Sequence, residues 1–179
     1  MALRATDVNL VTTYLHMTDP AQFQPSYVEP RTGQSLMIMQ MQQADVSFYR
    51  FLYNTVGDQW RWRDRRLMSD DELAAALSCP GCSVHVLYVN GIPAGYVELS
   101  KEGEEVEIAY FGLRPAYIGN GLGKHLLSYG IARAWDTGAA RVHVHTCNLD
   151  GPHALSNYMK RGFSVDHVDE EPLPERYLQ

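Results

Sequence analysis

The chain has 179 residues, 45% of them hydrophobic and 20% charged, which suits one well-packed domain and leaves too little length for two ordinary ones. Its formal net charge of −6 argues against a general affinity for nucleic acid, and its three cysteines, an odd number, do not suggest a disulfide framework. Residues 1–7 lack the start of a signal peptide and no window approaches the ~18 apolar residues of a membrane span, so we expect a cytoplasmic protein without a membrane partner.

Two strands and two helices are predicted in the N-terminal half. The strands cover residues 8–17 and 35–41, and the second alternates as Leu-Met-Ile-Met-Gln-Met-Gln. Prolines between them indicate a loop, across which the two strands could pair as a hairpin. An apolar stripe at helical spacing predicts a helix over residues 45–56, and a capping box at Ser69 and Glu72 begins a second helix that runs to Leu77.

The C-terminal half is predicted to alternate strands with helices. Three strands, over residues 83–89, 94–100 and 106–113, are joined by short turns that indicate antiparallel pairing. A helix from Gly121 to about Thr137, a strand over 141–146, a short helix over 153–161 and a strand over 164–168 follow. The strand–helix–strand succession predicts a parallel crossover, and therefore an α/β fold.

Gly112 interrupts a strand that is otherwise apolar and aromatic. An isolated glycine in such a strand marks a bulge or a close approach of the backbone to a neighbour. A bulge would splay the strand over 141–146 away and open a slot lined by unpaired backbone groups of Phe111 and Leu113. The alternative is an ordinary strand end with no ligand.

Glycines at the start of the long helix predict an anion site. They leave the backbone open to a bound group, and the first helical turn offers N–H groups without intrahelical partners. A Walker A loop is excluded because Ile118 and His125 stand at two of its fixed positions, and the spacing is not that of a dinucleotide fingerprint. The predicted anion-binding residues are Gly119, Asn120, Gly121, Leu122, Gly123 and Lys124.

Three segments together resemble the GNAT superfamily of N-acyltransferases. The glycine loop resembles the family's R/Q-x-x-G-x-G/A pyrophosphate loop, with Ile118 where the family usually carries Arg or Gln. Glu107 matches a glutamate on the family's fourth strand, and residues 157–163 are similar to its Y-x-K-x-G-F segment, in which Tyr158 is the tyrosine. The resemblance covers roughly residues 35–170. A family asparagine would fall at Gly151, so its contact is absent or supplied by a neighbour such as Asn148.

The resemblance implies a fold, a co-substrate and a reaction. The fold would be a mixed, mostly antiparallel sheet with a central splayed parallel strand pair and flanking helices. Acetyl-CoA would occupy the slot and the glycine loop, and the acceptor would be a small-molecule or peptide amine, with a homodimer left open. We expect residues 34–172 to form the acyltransferase domain, residues 1–33 to add a strand and loop to it, and residues 173–179 to form a tail.

Glu107 admits two interpretations. Strand alternation places Glu105, Glu107 and Ala109 on one face and Val106, Ile108 and Tyr110 on the other, so Glu107 could belong to a solvated face. Acetyl transfer requires a neutral amine, which near a pKa of ~10 is almost wholly protonated at neutral pH. With the resemblance added, we expect Glu107 to be the general base that accepts the amine proton.

Tyr158 also has two interpretations. A tyrosine on a short helix commonly packs its ring, here against Phe163. The resemblance instead implies a proton donor to the departing thiolate of coenzyme A.

Three other patterns carry weaker alternatives. Cys79 and Cys82 form a lone C-x-x-C, which we interpret as a turn. His143 and His145 could clip a metal, but no third ligand is fixed, so no metal is expected. The basic and aromatic run over residues 60–66 could contact nucleic acid, shape an acceptor pocket or cover apolar surface. At the level of the whole chain, the alternative to an enzyme is an acyl-CoA-binding module used for sensing or assembly.

Overall fold

The computed structural model describes residues 9–177. The expectations for residues 1–8, which include the start of the first strand, and for residues 178–179 at the end of the tail lie outside them. The described chain forms the elements β1 Asn9–Met17, β2 Leu36–Gln40, α1 Val46–Gly57, α2 Asp70–Leu77, β3 Cys82–Val89, β4 Ile92–Glu102, β5 Glu105–Leu113, α3 Leu122–Asp136, β6 Arg141–Cys147, α4 Ala154–Lys160 and β7 Ser164–Pro172.

The strands form one sheet of order β2-β3-β4-β5-β6-β1-β7. β5 and β6 are the parallel pair, joined through α3, and the other neighbours are antiparallel. This confirms the predicted fold class. The capping box of α2, formed by Ser69 and Glu72, is also as expected. Asp45 caps α1 by accepting a hydrogen bond from the Phe48 amide at 2.8 Å.

The predicted hairpin between the first two strands is wrong. β1 lies between β6 and β7, whereas β2 is the edge strand beside β3. The connection between β1 and β2 crosses α3 on the way, where the Ser26 amide donates to Ser128 Oγ at 2.9 Å and the Val28 amide to His125 Nδ1 at 3.2 Å. The prolines therefore belong to a long crossing segment rather than to the loop of a hairpin.

A β-bulge at Ala109 interrupts the pairing of β4 with β5. Glu98 lies opposite Tyr110 and Leu99 lies opposite Ile108, so Ala109 is the extra residue on β5. The extra residue reverses the alternation of side chains, and Ile108 packs on the α3 side of the sheet while Tyr110 packs on the α1 side. The expectation that these two residues share a face is therefore wrong.

Gly112 lies three residues beyond that bulge and marks a close backbone approach. A Cβ atom at Gly112 would lie 2.5 Å from Cγ1 of Val56 on α1, which is closer than side chains pack. The absence of a side chain lets α1 lie directly against β5, so Gly112 is required by packing.

The sheet separates two apolar cores. One contains α3 and the inward residues of most of the strands, and the other joins α1 and α2 to β3, β4 and β5. Within residues 9–177, no helix has the length and apolar character needed to cross a bilayer.

Candidate active site

A cleft opens where β5 and β6 part. Their parallel pairing covers Glu105–Glu107 on β5 and Arg141–His143 on β6 and then ends. Beyond that point a cleft of about 430 Å³ lies between the strands, bordered by Phe111 and Leu113 of β5. The edge of β5 that faces β6 there carries backbone groups without a strand partner, so an extended ligand with amide groups can add to it as a strand.

The glycine loop lies at one end of this cleft, before α3. Gly119 and Gly121 have positive φ angles of 90° and 76°, and Gly121 is the N-cap of α3 with no side-chain hydrogen bond to the helix. Gly123 borders the cleft, where a Cβ atom would meet Leu113 and Asn157 only at ordinary contact distances of 3.8 and 3.9 Å. The free amides and positive end of α3 therefore face open space suited to a phosphate group.

The other predicted loop residues have separate environments. Leu122 is buried in the α3 core, and Lys124 is exposed. Neither these two nor Gly119, Asn120 and Gly121 border the cleft itself. Of the segment 118–124, Ile118 and Gly123 are the residues that border the cleft.

Tyr158 projects from α4 into the wall of the cleft and is 6% exposed. Its ring packs edge-on against Phe111 and Phe163, with centroid distances of 6.2 and 6.1 Å. Burial raises the pKa of its phenol well above the usual value, so the group remains a protonated donor across the neutral range.

Glu107 does not border the cleft. It lies at the last paired position of β5, on an outer groove that it shares with Glu105 and His143. Its carboxylate Oε1 is 3.0 Å from Nδ1 of His145, a β6 residue that does border the cleft. The hydrogen bond from His145 lowers the pKa of Glu107, and the same bond raises the pKa of His145.

His145 is a cleft residue that the sequence alone did not indicate as a catalytic candidate. The His-x-His pattern could clip a metal, yet each histidine faces a carboxylate of β5: His143 lies 3.7 Å from Glu105 and His145 lies 3.0 Å from Glu107. Among residues 9–177, no group of three or more His, Cys, Asp or Glu side chains is placed to hold a metal ion. The parallel register of β5 and β6 was the signal that could have joined these pairs.

Gly151, at the position of the family asparagine, lies close to Trp60. A Cβ atom at Gly151 would lie 3.1 Å from the Trp60 indole, so a larger residue there would displace that ring. The Asn148 side chain is engaged with β1: its Oδ1 accepts a hydrogen bond from the Val11 amide at 3.1 Å, and its Nδ2 donates to the Asn9 carbonyl at 2.9 Å.

A loop over residues 58–66 forms one side of the cleft. It contributes Trp60, Trp62 and Asp64 to the lining. The loop is held from below by Arg65, whose guanidinium donates to the buried Glu98 carboxylate on β4 at 2.6 Å. The basic and aromatic run of the sequence therefore shapes a pocket.

The C-terminal turn approaches the same side. Arg176 lies 3.3 Å from Asp64, and Tyr177 borders the cleft.

The pair Cys79 and Cys82 is remote from the cleft and forms a turn, in which the Cys82 amide donates to the Cys79 carbonyl at 2.9 Å.

Comparison with known proteins identifies a family and a fold. The acetyltransferase (GNAT) family model matches residues 49–163. A GCN5-related N-acetyltransferase from Sphaerobacter thermophilus is similar at 13% identity and a TM-score of 0.63, over 92% of this chain and 51% of that one. The PaiA N-acetyltransferase from Thermoplasma acidophilum, solved with coenzyme A, is similar at 16% identity and a TM-score of 0.57, over 77% and 99%. An aminoglycoside N-acetyltransferase solved with CoA is similar at 17% identity and a TM-score of 0.57, over 79% and 96%.

These structural likenesses establish the fold alone. Several of the matched structures are larger, and this chain spans 51–64% of their length. No curated protein sequence matches the chain significantly.

Proposed function

Because the chain belongs to the GNAT family of acetyltransferases, we propose that it transfers an acetyl group from acetyl-CoA to an amine. The observation that carries the proposal is the splay of β5 from β6 beside the glycine loop of α3, with Tyr158 in the wall between them. A long ligand with an anionic end and an amide-rich arm matches both features. Two similar structures were solved with this coenzyme, which supports the assignment.

The coenzyme is held mainly by backbone. The pyrophosphate lies on the amides of residues 119–124, where Lys124 is the one cation of the loop. The pantetheine arm adds to β5 beside Phe111 and Leu113 and places the thioester near Tyr158.

The reaction is a direct displacement. The neutral amine nitrogen attacks the thioester carbon, a C–N bond forms and the C–S bond breaks. Backbone N–H groups of β5 stabilise the oxyanion that develops. The amine proton leaves toward the end of the cleft near Glu107, where β5 and β6 begin to separate. Tyr158 donates a proton to the departing thiolate. No covalent enzyme intermediate is needed.

The acceptor amine enters from the side of the 58–66 loop. Aromatic rings of Tyr53, Trp60, Trp62 and Tyr110 border the cleft there. They offer apolar contact area for the body of a small-molecule or peptide amine while its nitrogen reaches the thioester.

The test is thiol release from acetyl-CoA across a panel of primary amines, with acetyl-CoA affinity measured by calorimetry. Gly123→Leu should weaken acetyl-CoA binding at least tenfold, about 1.4 kcal/mol, because its side chain would fill the cleft beside the loop. Asp136→Leu, at the far end of α3, is the matched control and should bind normally. Gly121 is a poorer site for this test because its φ of 76° makes any side chain strained.

The outcomes distinguish an acetyltransferase from an acyl-CoA-binding module. Turnover of any amine with loss of binding in Gly123→Leu supports the enzyme. Tight binding of acetyl-CoA without turnover of any amine supports the acyl-CoA-binding module instead. Normal binding by Gly123→Leu overturns the placement of the coenzyme.

A further inference from the structure

We propose that His145 is the residue that takes the proton from the acceptor amine, and that Glu107 is its positioning residue. The inference rests on the proposed acetyl transfer and assigns its proton acceptor. It replaces the expectation that Glu107 is the general base.

The geometry separates the two roles. Glu107 opens onto the outer groove, while His145 borders the cleft. The 3.0 Å contact from Glu107 Oε1 engages Nδ1 of His145, which leaves Nε2 as the nitrogen available to a group in the cleft. Because the β5–β6 pairing ends at Glu107 and His143, His145 is the next β6 residue on that face, at the point where the strands separate.

The ring of His145 is held on two sides. The carboxylate fixes one nitrogen, and the ring of Tyr14 on β1 lies at a centroid distance of 5.6 Å with a 35° tilt. A histidine fixed in orientation with one nitrogen protonated presents a basic nitrogen in a defined direction, which is what a general base requires.

The charges around His145 favour its protonated form. Carboxylates face it from three elements: Glu107 of β5, Asp150 after β6 and Asp64 of the 58–66 loop. His143, on its own strand, carries a lowered pKa because of burial and therefore adds little positive charge at neutral pH. The surroundings thus raise the pKa of His145 and stabilise the imidazolium that forms when the amine loses its proton.

The proton balance is complete. The amine proton moves to His145 Nε2 as the C–N bond forms, and the Tyr158 proton moves to the thiolate as the C–S bond breaks. The imidazolium is paired with the Glu107 carboxylate, and solvent then returns a proton from His145 to Tyr158.

The experiment measures kcat/KM against pH for the wild type, His145→Gln, Glu107→Gln and His143→Gln, with acetyl-CoA affinity as the binding control. His145→Gln should lower kcat/KM by roughly 10²–10⁴-fold and abolish the acidic limb of the profile. Glu107→Gln should lower kcat/KM less and move the acidic limb to lower pH, because the His145 imidazole loses its hydrogen-bonded carboxylate. His143→Gln changes a residue two positions away on the same face. It should leave both kcat/KM and the acidic limb of its pH profile nearly unchanged.

A second readout follows the imidazole directly. The pKa of His145, measured by NMR with acetyl-CoA absent, should fall in Glu107→Gln and stay in place in His143→Gln. A purely packing role for Glu107 predicts no such fall.

The two proposals fail differently. If the wild type turns over an amine but His145→Gln keeps a normal rate and an acidic limb, the proton acceptor assignment is overturned and the acetyl transfer stands. If no amine is turned over although acetyl-CoA binds, acetyl transfer is overturned and the assignment falls with it.

Discussion

At the scale of single residues, Tyr158 combines a packing role for its ring with a proposed catalytic role for its hydroxyl. Replacing it with phenylalanine keeps the contacts with Phe111 and Phe163 and removes only the hydroxyl. We expect Tyr158→Phe to lower kcat by roughly 10- to 100-fold, near the low end of general acid catalysis, because a thiol of pKa ~8.5 leaves without much help. Steady-state kinetics on whichever amine is turned over measures the effect.

The control for this prediction is Tyr129→Phe, which removes a hydroxyl on α3 that lies 3.4 Å from His85. It should leave kcat unchanged. Acetyl-CoA affinity and thermal stability should be nearly normal in both variants. A normal kcat in Tyr158→Phe would reduce Tyr158 to the packing role that its sequence context also allowed.

The sequence indicated candidate residues of the site one at a time, but not their pairs. Glu107, Tyr158 and the glycines could be located because each belongs to a short local motif. The pairing of Glu107 with His145 depends on the register of two strands that are separated by α3 along the chain. The contact of Trp60 with Gly151 is likewise set only by folding, so no local pattern announces it.

At the scale of elements, a buried ion pair positions the 58–66 loop. Glu98 is 1% exposed and accepts hydrogen bonds from Arg65 and from the Tyr49 hydroxyl. We expect Arg65→Met to destabilise the fold by about 3–5 kcal/mol, because the variant leaves a buried carboxylate without its cation. Since the loop carries Trp60 and Trp62 to the cleft, the variant should also raise the KM for the amine while acetyl-CoA affinity changes little.

The neighbouring arginine provides a matched control. Arg66 forms a similar pair with Asp58 at 3.0 Å, but the Asp58 side chain is 79% exposed. Surface pairs contribute only about 0–1 kcal/mol, so Arg66→Met should change neither stability nor KM appreciably. Equal losses in both variants, measured by urea denaturation, would argue against a special role for the buried pair.

Elements with local signals were predicted well, and long-range pairings were not. An apolar stripe located α1, a capping box located α2, and short turns located the β3–β5 meander, because these signals lie within a few residues of each element. The hairpin proposed for β1 failed because its partners, β6 and β7, come more than 120 residues later. The bulge at Ala109 also contains no glycine that would indicate it in the sequence, and it places Tyr110 on the face opposite to the predicted one.

At the scale of the whole molecule, the position of the cleft follows from how helices cover the sheet. α1 and α2 cover one face only over β3, β4 and β5, and their core contains no residue of β6, β1 or β7. The opposite face is closed by α3 over strands from both halves. β5 and β6 therefore separate at the edge of the area of the sheet that α1 and α2 cover. A ligand can reach the interior of the sheet there without displacing a helix.

The pH dependence of global stability should report a buried histidine on β3. His85 is 4% exposed, and burial, with a smaller effect of Arg133, lowers its pKa to about 4. In the unfolded chain a histidine titrates near a pKa of ~6.5, so between about pH 6.5 and pH 4 the unfolded state binds a proton that the folded state does not. The folded state should thus lose stability as the pH falls through this window, by up to about 3 kcal/mol. The measurement is the free energy of unfolding in urea between about pH 7 and pH 4 for the wild type and His85→Gln. The advantage of the wild type over His85→Gln should shrink by that amount as the pH falls. A constant advantage over His85→Gln would mean that His85 titrates alike in both states, and that acid destabilisation comes from other groups.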